Sequence, residues 1–225
     1  MKIGNFYYLK YQIADLKDEW ILKQTDLSKL KRQFDILIID DDEFPLLEDL
    51  KRHEYNITYK TDISDLKDVA SYQIILCDIN GVGRFLGSDN DGAYLSNQIK
   101  KKYPDKIVIS YTADNFSPKN QKYLGIVDKI IPKGTSVEDW AALLEETIKM
   151  LADPIITWKK IETQLLNANI PTKKIALIEQ KYVKYVKKNK LKSLEKLCDG
   201  TSEVENILNA SLPIIIKILK TLIAG

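Results

Sequence analysis

Residues 72–80 read YQIILCDIN, an apolar run that ends on Asp78. Residues 35–42, DILIIDDD, repeat the arrangement, because an apolar stretch is followed at once by carboxylates. Short runs of this kind, rich in β-branched residues, are typical of strands. A strand that is apolar along its whole length has both faces covered, as in a parallel sheet with helices on each side. The two stretches therefore predict central strands with acidic residues at their carboxyl ends.

The same type of segment recurs along the chain and alternates with helical patterns up to about residue 152. Three further strand-like stretches are NITYKT at 56–61, KIVISYTA at 106–113 and GIVDKIIPKG at 125–134. Helical spacing of apolar residues lies between them, and Ser136 with Asp139 predicts the start of the last helix. Alternation of this kind predicts an α/β fold with a parallel sheet.

The two ends of the chain have a different character. Aromatic residues at 5–13 predict a strand, and residues 15–33 predict an uneven helix. The C-terminal part has no strand pattern, and its expected helices run from Pro154 to about residue 168, from Thr172 to near Asp199, from Ser202 onward and, separately, after Pro213. We therefore predict an N-terminal extension (1–33), an α/β domain (34–152) and an α-helical C-terminal region (153–225).

Composition describes an ordinary globular protein whose charge is unevenly distributed. The net charge is +2 overall, but it is −5 over residues 1–154 and +7 over residues 155–225, which suggests different partners for the two parts. Two cysteines provide no disulfide framework. The start of the chain lacks the build of a signal peptide, and the longest apolar stretch, 212–224, is shorter than the roughly 20 residues that cross a bilayer. We expect a cytoplasmic protein with no transmembrane segment.

Polar residues close four of the predicted strands. Asp40 and Asp41 follow one strand, Asp78 ends another, Thr112 ends a third and Lys133 follows the last. Because ligands of parallel sheets bind beyond the carboxyl ends of the strands, these side chains are expected to meet. Clustered carboxylates repel one another unless a cation is present, and hard oxygen ligands suit Mg²⁺. Together with an ammonium and a hydroxyl group, they describe a pocket for a phosphoryl group on a carboxylate.

Residues 34–152 resemble the receiver domain of two-component response regulators. Four stretches that carry the resemblance come in the same order as in the family: ILIIDDDE, IILCDIN, ISYTA and IIPKG. The resemblance implies a flavodoxin-like, doubly wound sheet of five parallel strands. It also implies a signalling switch that accepts a phosphoryl group from a histidine kinase or a phosphotransfer protein, with at most slow self-phosphorylation and dephosphorylation.

The resemblance assigns a role to each strand-end residue. Asp78 would be the phosphoacceptor. Asp41 and Asp78 would ligate Mg²⁺ together with the backbone carbonyl of Asn80, and Asp40 would act mainly through water. Lys133 would pair with the phosphoryl oxygens, and Thr112 would turn to hydrogen-bond one of them.

The sequence departs from the family pattern in three places. A short stretch before Asp78 predicts a stunted second helix. The loop GVGRFLGSDNDG, which follows Asp78 and Asn80, is longer than usual. Ile130 stands where many receivers have an aromatic residue that rotates on activation, so the usual relay from Thr112 to an aromatic side chain is in doubt.

Two alternatives belong to other classes. A phosphohydrolase of the haloacid-dehalogenase type also uses an Asp nucleophile, Mg²⁺ and a Lys, but it usually has a second Asp where this chain has Asn80. A receiver fold could also serve as an unphosphorylated docking module. The acidic pair argues against docking alone, because clustered carboxylates cost electrostatic energy that docking does not require.

The C-terminal region contains one basic segment and one apolar segment. Residues 181–192, KYVKYVKKNKLK, hold six lysines. We favour the solvated face of a packed helix over contact with nucleic acid or an anionic membrane, because lysine without arginine reads bases poorly. The apolar stretch 212–224 is expected to pack against its neighbours or in a homodimer. We therefore expect residues 153–225 to bind a protein partner or to self-associate.

Overall fold

The computed structural model describes residues 10–16, 26–86, 91–113, 118–197 and 202–224. The chain divides into two compact units. One comprises Ser28–Ile148, and the other comprises Met1–Leu27 together with Lys149–Gly225.

The unit Ser28–Ile148 is built on a five-stranded sheet with the order β2-β1-β3-β4-β5, and every neighbouring pair is parallel. The strands are β1 (Asp35–Ile39), β2 (Asn56–Lys60), β3 (Ile74–Asp78), β4 (Ile107–Thr112) and β5 (Lys129–Pro132). The order reverses direction between β1 and β3, which is where such sheets open a crevice at their carboxyl edge. The predicted flavodoxin-like, doubly wound fold is confirmed.

Helices flank the strands of this unit, and three of them connect one strand to the next. They are α1 (Leu27–Lys31), α2 (Leu47–Arg52), α3 (Asp91–Lys102), α4 (Pro118–Leu124) and α5 (Val137–Ala152). The connection from β2 to β3 contains only a 3-10 turn, Leu66–Val69, so the expected stunted helix is confirmed. The start of α5 is capped as the sequence predicts, since the Asp139 N–H donates to Ser136 Oγ at 3.1 Å and Ser136 Oγ donates to Asp139 Oδ2 at 2.9 Å.

Burial explains the apolar runs of the central strands. Strands β3 and β4 are buried at every position, and β1 is buried after its first residue. Alternate side chains point to opposite faces of the sheet, so each face has its own apolar layer. One layer joins the sheet to α3, and its fully buried members are Leu37, Ile39, Val69, Ile75, Cys77, Val82, Leu95, Ile99 and Val108. Each buried aliphatic side chain contributes about 1.5–3 kcal/mol, so these layers fix the position of the strand ends.

One buried lysine takes part in this packing. Lys106 is 6% exposed, and its Nζ donates to the carbonyl oxygens of Ala70, at 2.7 Å, and Tyr72. The ammonium also lies 5.1 Å from the centre of the Tyr103 ring. Burial lowers the pKa of Lys106. Its hydrogen bonds tie the start of β4 to the turn before β3.

The second unit is helical where it is described. Its elements are a 3-10 turn (Ile13–Leu16), α6 (Pro154–Asn167), α7 (Thr172–Lys187), α8 (Leu191–Glu195) and α9 (Glu203–Ala224). Trp158 of α6 stacks on Tyr182 of α7 with ring centres 5.3 Å apart, and the Tyr182 hydroxyl donates to the Pro154 carbonyl at 2.7 Å. The Ile13 N–H donates to Glu179 Oε1 at 2.7 Å, which attaches the N-terminal turn to α7.

The helix predicted from Thr172 to near Asp199 was too long. Helix α7 ends at Lys187, because Asn189 adopts a left-handed conformation with φ of 50°. The Lys190 N–H then returns to the carbonyl of Tyr185 at 2.9 Å, and the Asn189 N–H bonds to the carbonyl of Val186 at 3.1 Å. This pair of bonds is a Schellman motif, which closes a helix after a residue that tolerates positive φ.

The separate terminal helix predicted after Pro213 was also wrong, because α9 runs through Pro213 without a break. Proline removes one backbone hydrogen bond within a helix and usually kinks or ends it. Here buried apolar residues continue at helical spacing on both sides, at Val204, Leu208, Leu212, Ile215 and Leu219. Packing along this stripe holds the two halves in one helix.

Two further predictions concern the N-terminal part of the chain, which the structure describes only in part. The strand predicted for residues 5–13 lies mostly outside the described residues. Of the helix predicted for residues 15–33, the described part includes the end of the 3-10 turn and α1. Across the described ranges, no helix has both the length and the apolar character that a membrane span requires.

Candidate functional site

The carboxyl edge of the sheet gathers the predicted acidic residues. Asp40 follows β1, and Asp78 ends the neighbouring strand β3. One carboxylate oxygen from each of Asp40, Asp41 and Asp78 lies within 4.8 Å of the others. Asp40 and Asp78 are buried, whereas Asp41 is on the rim. The structure therefore brings all three predicted carboxylates into one cluster.

Lys133 supplies the positive charge of the cluster. Its Nζ lies 2.8 Å from Asp78 Oδ2 and 3.2 Å from the carboxylate of Asp40. Its backbone N–H donates to the Thr112 carbonyl at 2.7 Å, so pairing of the chain after β5 with β4 fixes its position. Burial by itself would lower the pKa of Lys133, but the hydrogen bonds to Asp78 and Asp40 outweigh burial and raise it. The side chain is therefore an ammonium at neutral pH.

Asp78 is 4% exposed and is held from two sides. Oδ2 accepts from Lys133, and Oδ1 accepts from the backbone N–H of Asn80 at 3.2 Å. Burial raises the pKa of Asp78, and the charge of Asp40 adds to this, while Lys133 and the Asn80 N–H oppose it. A carboxylate in this position repels further negative charge and gains from any cation that enters the pocket.

Asp40 is fully buried and accepts hydrogen bonds from three sides. The Tyr111 hydroxyl donates to Oδ2 at 2.9 Å, and the Asp42 N–H donates to Oδ1 at 3.1 Å. Lys133 is the third donor. Burial and the adjacent Asp40 charge raise the pKa of Tyr111 far above its ordinary value, so the phenol keeps its proton and acts as the donor.

Asp41 faces the loop that follows β3. Gly81 approaches it so closely that a Cβ atom at position 81 would lie 2.0 Å from Asp41 Oδ1, and φ at Gly81 is 76°. The guanidinium of Arg84 lies 3.1 Å from Asp41 Oδ2. The Asp62 carboxylate anchors this loop, because it accepts hydrogen bonds from the backbone N–H groups of Gly83 at 2.7 Å and Arg84 at 3.3 Å. The absence of a side chain at Gly81 therefore lets this loop pass close to Asp41.

Thr112 and Asn80 complete the predicted set. Asn80 Nδ2 donates to Thr112 Oγ1 at 3.2 Å, which places both side chains beside Asp78. Thr112 is 6% exposed. Ile130, the residue in place of the usual aromatic, is 36% exposed. His53 is an exposed residue at the end of α2, and none of its contacts joins it to this cluster among the described residues.

Three contributors to the site escaped the sequence analysis: Tyr111, Arg84 and Asp62. Tyr111 sits in a strand of aliphatic residues directly before Thr112, and a hydroxyl group at a position otherwise typical of an apolar residue was the available signal. Arg84 and Asp62 gave no signal, because their contacts depend on how two loops fold over the sheet edge.

The residues present fit a divalent cation. Three carboxylate oxygens converge on one small region, and oxygen ligands of this type are those that Mg²⁺ prefers. The nearby cations are Lys133, which contacts two of the carboxylates, and Arg84, which contacts the third. Three carboxylates beside two cationic side chains therefore leave the cluster with an excess of negative charge.

Comparison with known proteins gives a structural likeness only. No protein-family profile matches the chain, and no curated protein matches it. Among solved structures, the chain is similar to the BeF3-activated N-terminal receiver domain of Klebsiella pneumoniae RstA, with 17% identity, coverage of 51% of this chain and 97% of that chain, and a TM-score of 0.43. It is also similar to the non-phosphorylated HemR receiver domain of Leptospira biflexa, with 22% identity, coverage of 51% and 93%, and a TM-score of 0.41.

A third similar structure is a response regulator of Burkholderia pseudomallei with a phosphorylated aspartic acid, a calcium ion and citrate. It has 20% identity, coverage of 64% of this chain and 91% of that chain, and a TM-score of 0.39. The three proteins are response regulators or their receiver domains. The order and direction of the five strands independently give residues 28–148 the fold class of such domains.

Proposed function

We propose that the protein is a response regulator in which Asp78 accepts a phosphoryl group in a Mg²⁺-dependent reaction. The observation that carries the proposal is the placement of the Asp78 carboxylate between Lys133 Nζ, at 2.8 Å, and two further carboxylates within 4.8 Å. Asp78 is the nucleophile that this arrangement supports best, because it lies between Lys133 and the other two carboxylates of the acidic cluster.

In this reaction, a phosphohistidine would donate the phosphoryl group to Asp78. A carboxylate oxygen of Asp78 attacks phosphorus, the P–N bond breaks, and its electron pair stays on the imidazole nitrogen. The product is an aspartyl phosphate, which water later hydrolyses. A histidine kinase or phosphotransfer protein would provide the phosphohistidine.

Each surrounding residue has an assigned role in this proposal. Asp41, Asp78 and the Asn80 carbonyl would hold Mg²⁺, with Asp40 acting through water. The ion would supply charge neutralisation for the transferred oxygens. Lys133 would neutralise a second region of the phosphoryl group, and the hydroxyl of Thr112 would hydrogen-bond one oxygen.

The test is a titration with beryllofluoride or acetyl phosphate in the presence of Mg²⁺. We expect a saturable spectroscopic change in the wild type and no change in Asp78→Ala. Asp105→Ala is the matched control, since Asp105 lies in the turn between α3 and β4, and it should respond as the wild type does. Equal responses in wild type and Asp78→Ala would overturn the proposal.

The phosphohydrolase alternative predicts a different outcome. Asn80 stands where such enzymes usually have a general acid, and its amide, which contacts Thr112 Oγ1, cannot donate a proton as a carboxylic acid does. We therefore expect at most slow self-phosphorylation and dephosphorylation. Multiple-turnover hydrolysis of small phosphate esters that is lost in Asp78→Asn would favour the hydrolase instead.

We further propose that residues 153–225 are the output region and bind a partner. Helix α7 supports this, because its lysines fall within about 140° of arc at 100° per residue, opposite its buried side. These lysines are Lys173, Lys174, Lys181, Lys184 and Lys187, and the buried residues are Ile175, Tyr182, Val183 and Val186. Like charges three residues apart repel one another, so an anionic protein surface would be stabilising there. Two copies of this face would repel, so self-association would use another surface.

Retention on an immobilised polyanion such as heparin tests the lysine face. The double variant Lys181→Gln with Lys187→Gln is expected to elute at lower salt than the control pair Lys159→Gln with Lys196→Gln, which removes the same charge from exposed positions elsewhere in the unit. Equal elution of the two variants would count against a specific face.

Light scattering with and without beryllofluoride tests self-association, and a strict monomer in both conditions would exclude it as the output.

A further inference from the structure

Tyr111 joins the acidic cluster to a buried aromatic group. It directly precedes Thr112 on β4, so the two side chains point to opposite faces of the sheet. Tyr111 pairs with Asp78 in the sheet register, so it shares a face with the acidic cluster, and its hydroxyl donates to Asp40 Oδ2 at 2.9 Å from a fully buried ring. This is the one hydrogen bond in the described chain that links a buried phenol to the acidic cluster.

The aromatic neighbours leave the Tyr111 ring little freedom. Phe44 lies edge-on with ring centres 5.5 Å apart, and Trp140 lies edge-on at 5.8 Å. Phe44 and Trp140 contact each other at 5.7 Å, so the three rings form a closed triangle. Edge-to-face pairs of this geometry stabilise their arrangement beyond the area that they bury. The hydroxyl is therefore held in place before any ligand enters.

A fixed donor decides which way the Asp40 carboxylate faces. Oδ2 is engaged by Tyr111, and Oδ1 accepts from the backbone N–H of Asp42 at 3.1 Å. Without the Tyr111 hydroxyl, Asp40 would be held only by the Asp42 N–H and by Lys133 Nζ, which lies 3.2 Å from both of its carboxylate oxygens. The carboxylate would then be oriented less strictly within the acidic cluster.

We propose that Tyr111 is a positioning residue for Mg²⁺ binding, because its hydroxyl orients the Asp40 carboxylate within the acidic cluster. This inference rests on the proposed function. It gives a role to Tyr111, to which the resemblance assigned none. It also makes the triangle of Phe44, Tyr111 and Trp140 part of the site. Asp40 is proposed to reach the ion through water, and mutation of outer-shell hydrogen-bonding residues typically changes metal affinity by about 10–100-fold.

The test compares two tyrosine-to-phenylalanine variants that each lose one buried phenolic hydrogen bond. Tyr111→Phe loses the bond to Asp40. Tyr55→Phe loses a bond of 2.8 Å to the carbonyl of Ala141, in the same unit but away from the acidic cluster. Both variants retain the ring, so both should fold with similar losses of stability.

Mg²⁺ binding is followed through the indole N–H of Trp140 by NMR, with the signal assigned by Trp140→Phe. This N–H is buried and has no hydrogen-bond partner among the described residues, so it should give a distinct signal. We expect Tyr111→Phe to bind Mg²⁺ about tenfold more weakly than the wild type, and Tyr55→Phe to bind as the wild type does.

The outcomes separate this inference from the proposed function. An affinity of Tyr111→Phe within twofold of the wild type would overturn the positioning role and leave the proposed function intact. Equal weakening in both variants would also overturn it, because the effect would then come from general loss of packing. Absence of saturable Mg²⁺ binding by the wild type would remove the proposed function and this inference together.

Discussion

The guanidinium of Arg84 lies 3.1 Å from Asp41 Oδ2, at the rim of the acidic cluster. The Asp62 carboxylate accepts a hydrogen bond from the backbone N–H of Arg84, which holds this arginine in place. The Arg84 side chain is 67% exposed. The arginine therefore shares a carboxylate with the ion that the cluster is proposed to bind. A cation that enters must either displace the guanidinium or tolerate its charge.

Replacing Arg84 should strengthen metal binding. We expect Arg84→Ala to bind Mg²⁺ about two- to fivefold more tightly than the wild type, which corresponds to the ordinary strength of an exposed ion pair. The gain should shrink at high ionic strength, because salt screens exposed charges. Arg52→Ala is the control, since it breaks an exposed pair with Asp49 of 2.9 Å far from the cluster. Weaker Mg²⁺ binding in Arg84→Ala would show that the arginine supports the site instead.

Gly81 cannot be replaced without moving Asp41. A Cβ atom there would lie 2.0 Å from Asp41 Oδ1, and φ of 76° disfavours any other residue. We expect Gly81→Ala to weaken Mg²⁺ binding by about tenfold or more, because a ligand carboxylate is displaced. Gly125→Ala is the matched control, since nothing lies within 4 Å of its added Cβ atom. Titrations of both variants measure the difference, and an unchanged affinity in Gly81→Ala would contradict the placement of Asp41.

The charge of Asp78 should reduce the stability of the metal-free protein. Burial raises the pKa of Asp78, although Lys133 and the Asn80 N–H oppose the shift. Because the folded protein then holds this proton more tightly than the unfolded chain, stability falls as the pH rises through the folded-state pKa. The neutral Asp78→Asn variant should therefore be more stable than the wild type by about 1 kcal/mol near neutral pH.

This advantage of Asp78→Asn should shrink as the pH falls below the folded-state pKa of Asp78 and vanish below the pKa of the unfolded chain, where the carboxyl is neutral in both states. Urea unfolding over a pH series without Mg²⁺ measures it. Asp128→Asn is the control with the opposite expected sign, because it loses an ion pair of 2.7 Å with Lys100. A loss of stability in Asp78→Asn at neutral pH would show that Lys133 compensates the charge fully.

Lys106 is expected to stabilise the unit Ser28–Ile148 through its buried ammonium. Lys106→Met retains the apolar length of the side chain but removes the donor to the Ala70 and Tyr72 carbonyls. We expect the free energy of unfolding to fall by about 1–3 kcal/mol, the usual cost of a buried polar group that loses its partner. Lys101→Met, on the exposed side of α3, should change it little. Similar results for both variants in urea unfolding would contradict the structural role of Lys106.

The parts of the structure that the sequence predicted are those set by local pattern. Continuous apolar runs indicated β1, β3 and β4, and the parallel arrangement then placed Asp40 and Asp78 together. Reading from the sequence failed where tertiary contacts outweigh local preference. Packing along one stripe of α9 overrides the helix-breaking tendency of Pro213, and the left-handed Asn189 ends α7 within a run of good helix formers.

The site shows the same division. The carboxylates and Lys133 could be predicted, because strand ends of a parallel sheet meet by topology. Tyr111 was missed although the sequence shows its hydroxyl group, because the hydrogen bond to Asp40 depends on how the ring packs against Phe44 and Trp140. The contact between Arg84 and Asp41 depends on the path of a long loop, which no short-range pattern encodes.

The balance of charges at the sheet edge has a consequence for signalling. Three carboxylates face the two cationic groups of Lys133 and Arg84, so these side chains give the pocket an excess negative charge. A doubly charged phosphoryl group would meet repulsion there until a divalent ion has entered first. Under the proposed function, the pocket would therefore respond only when the donor protein and the divalent ion are both present.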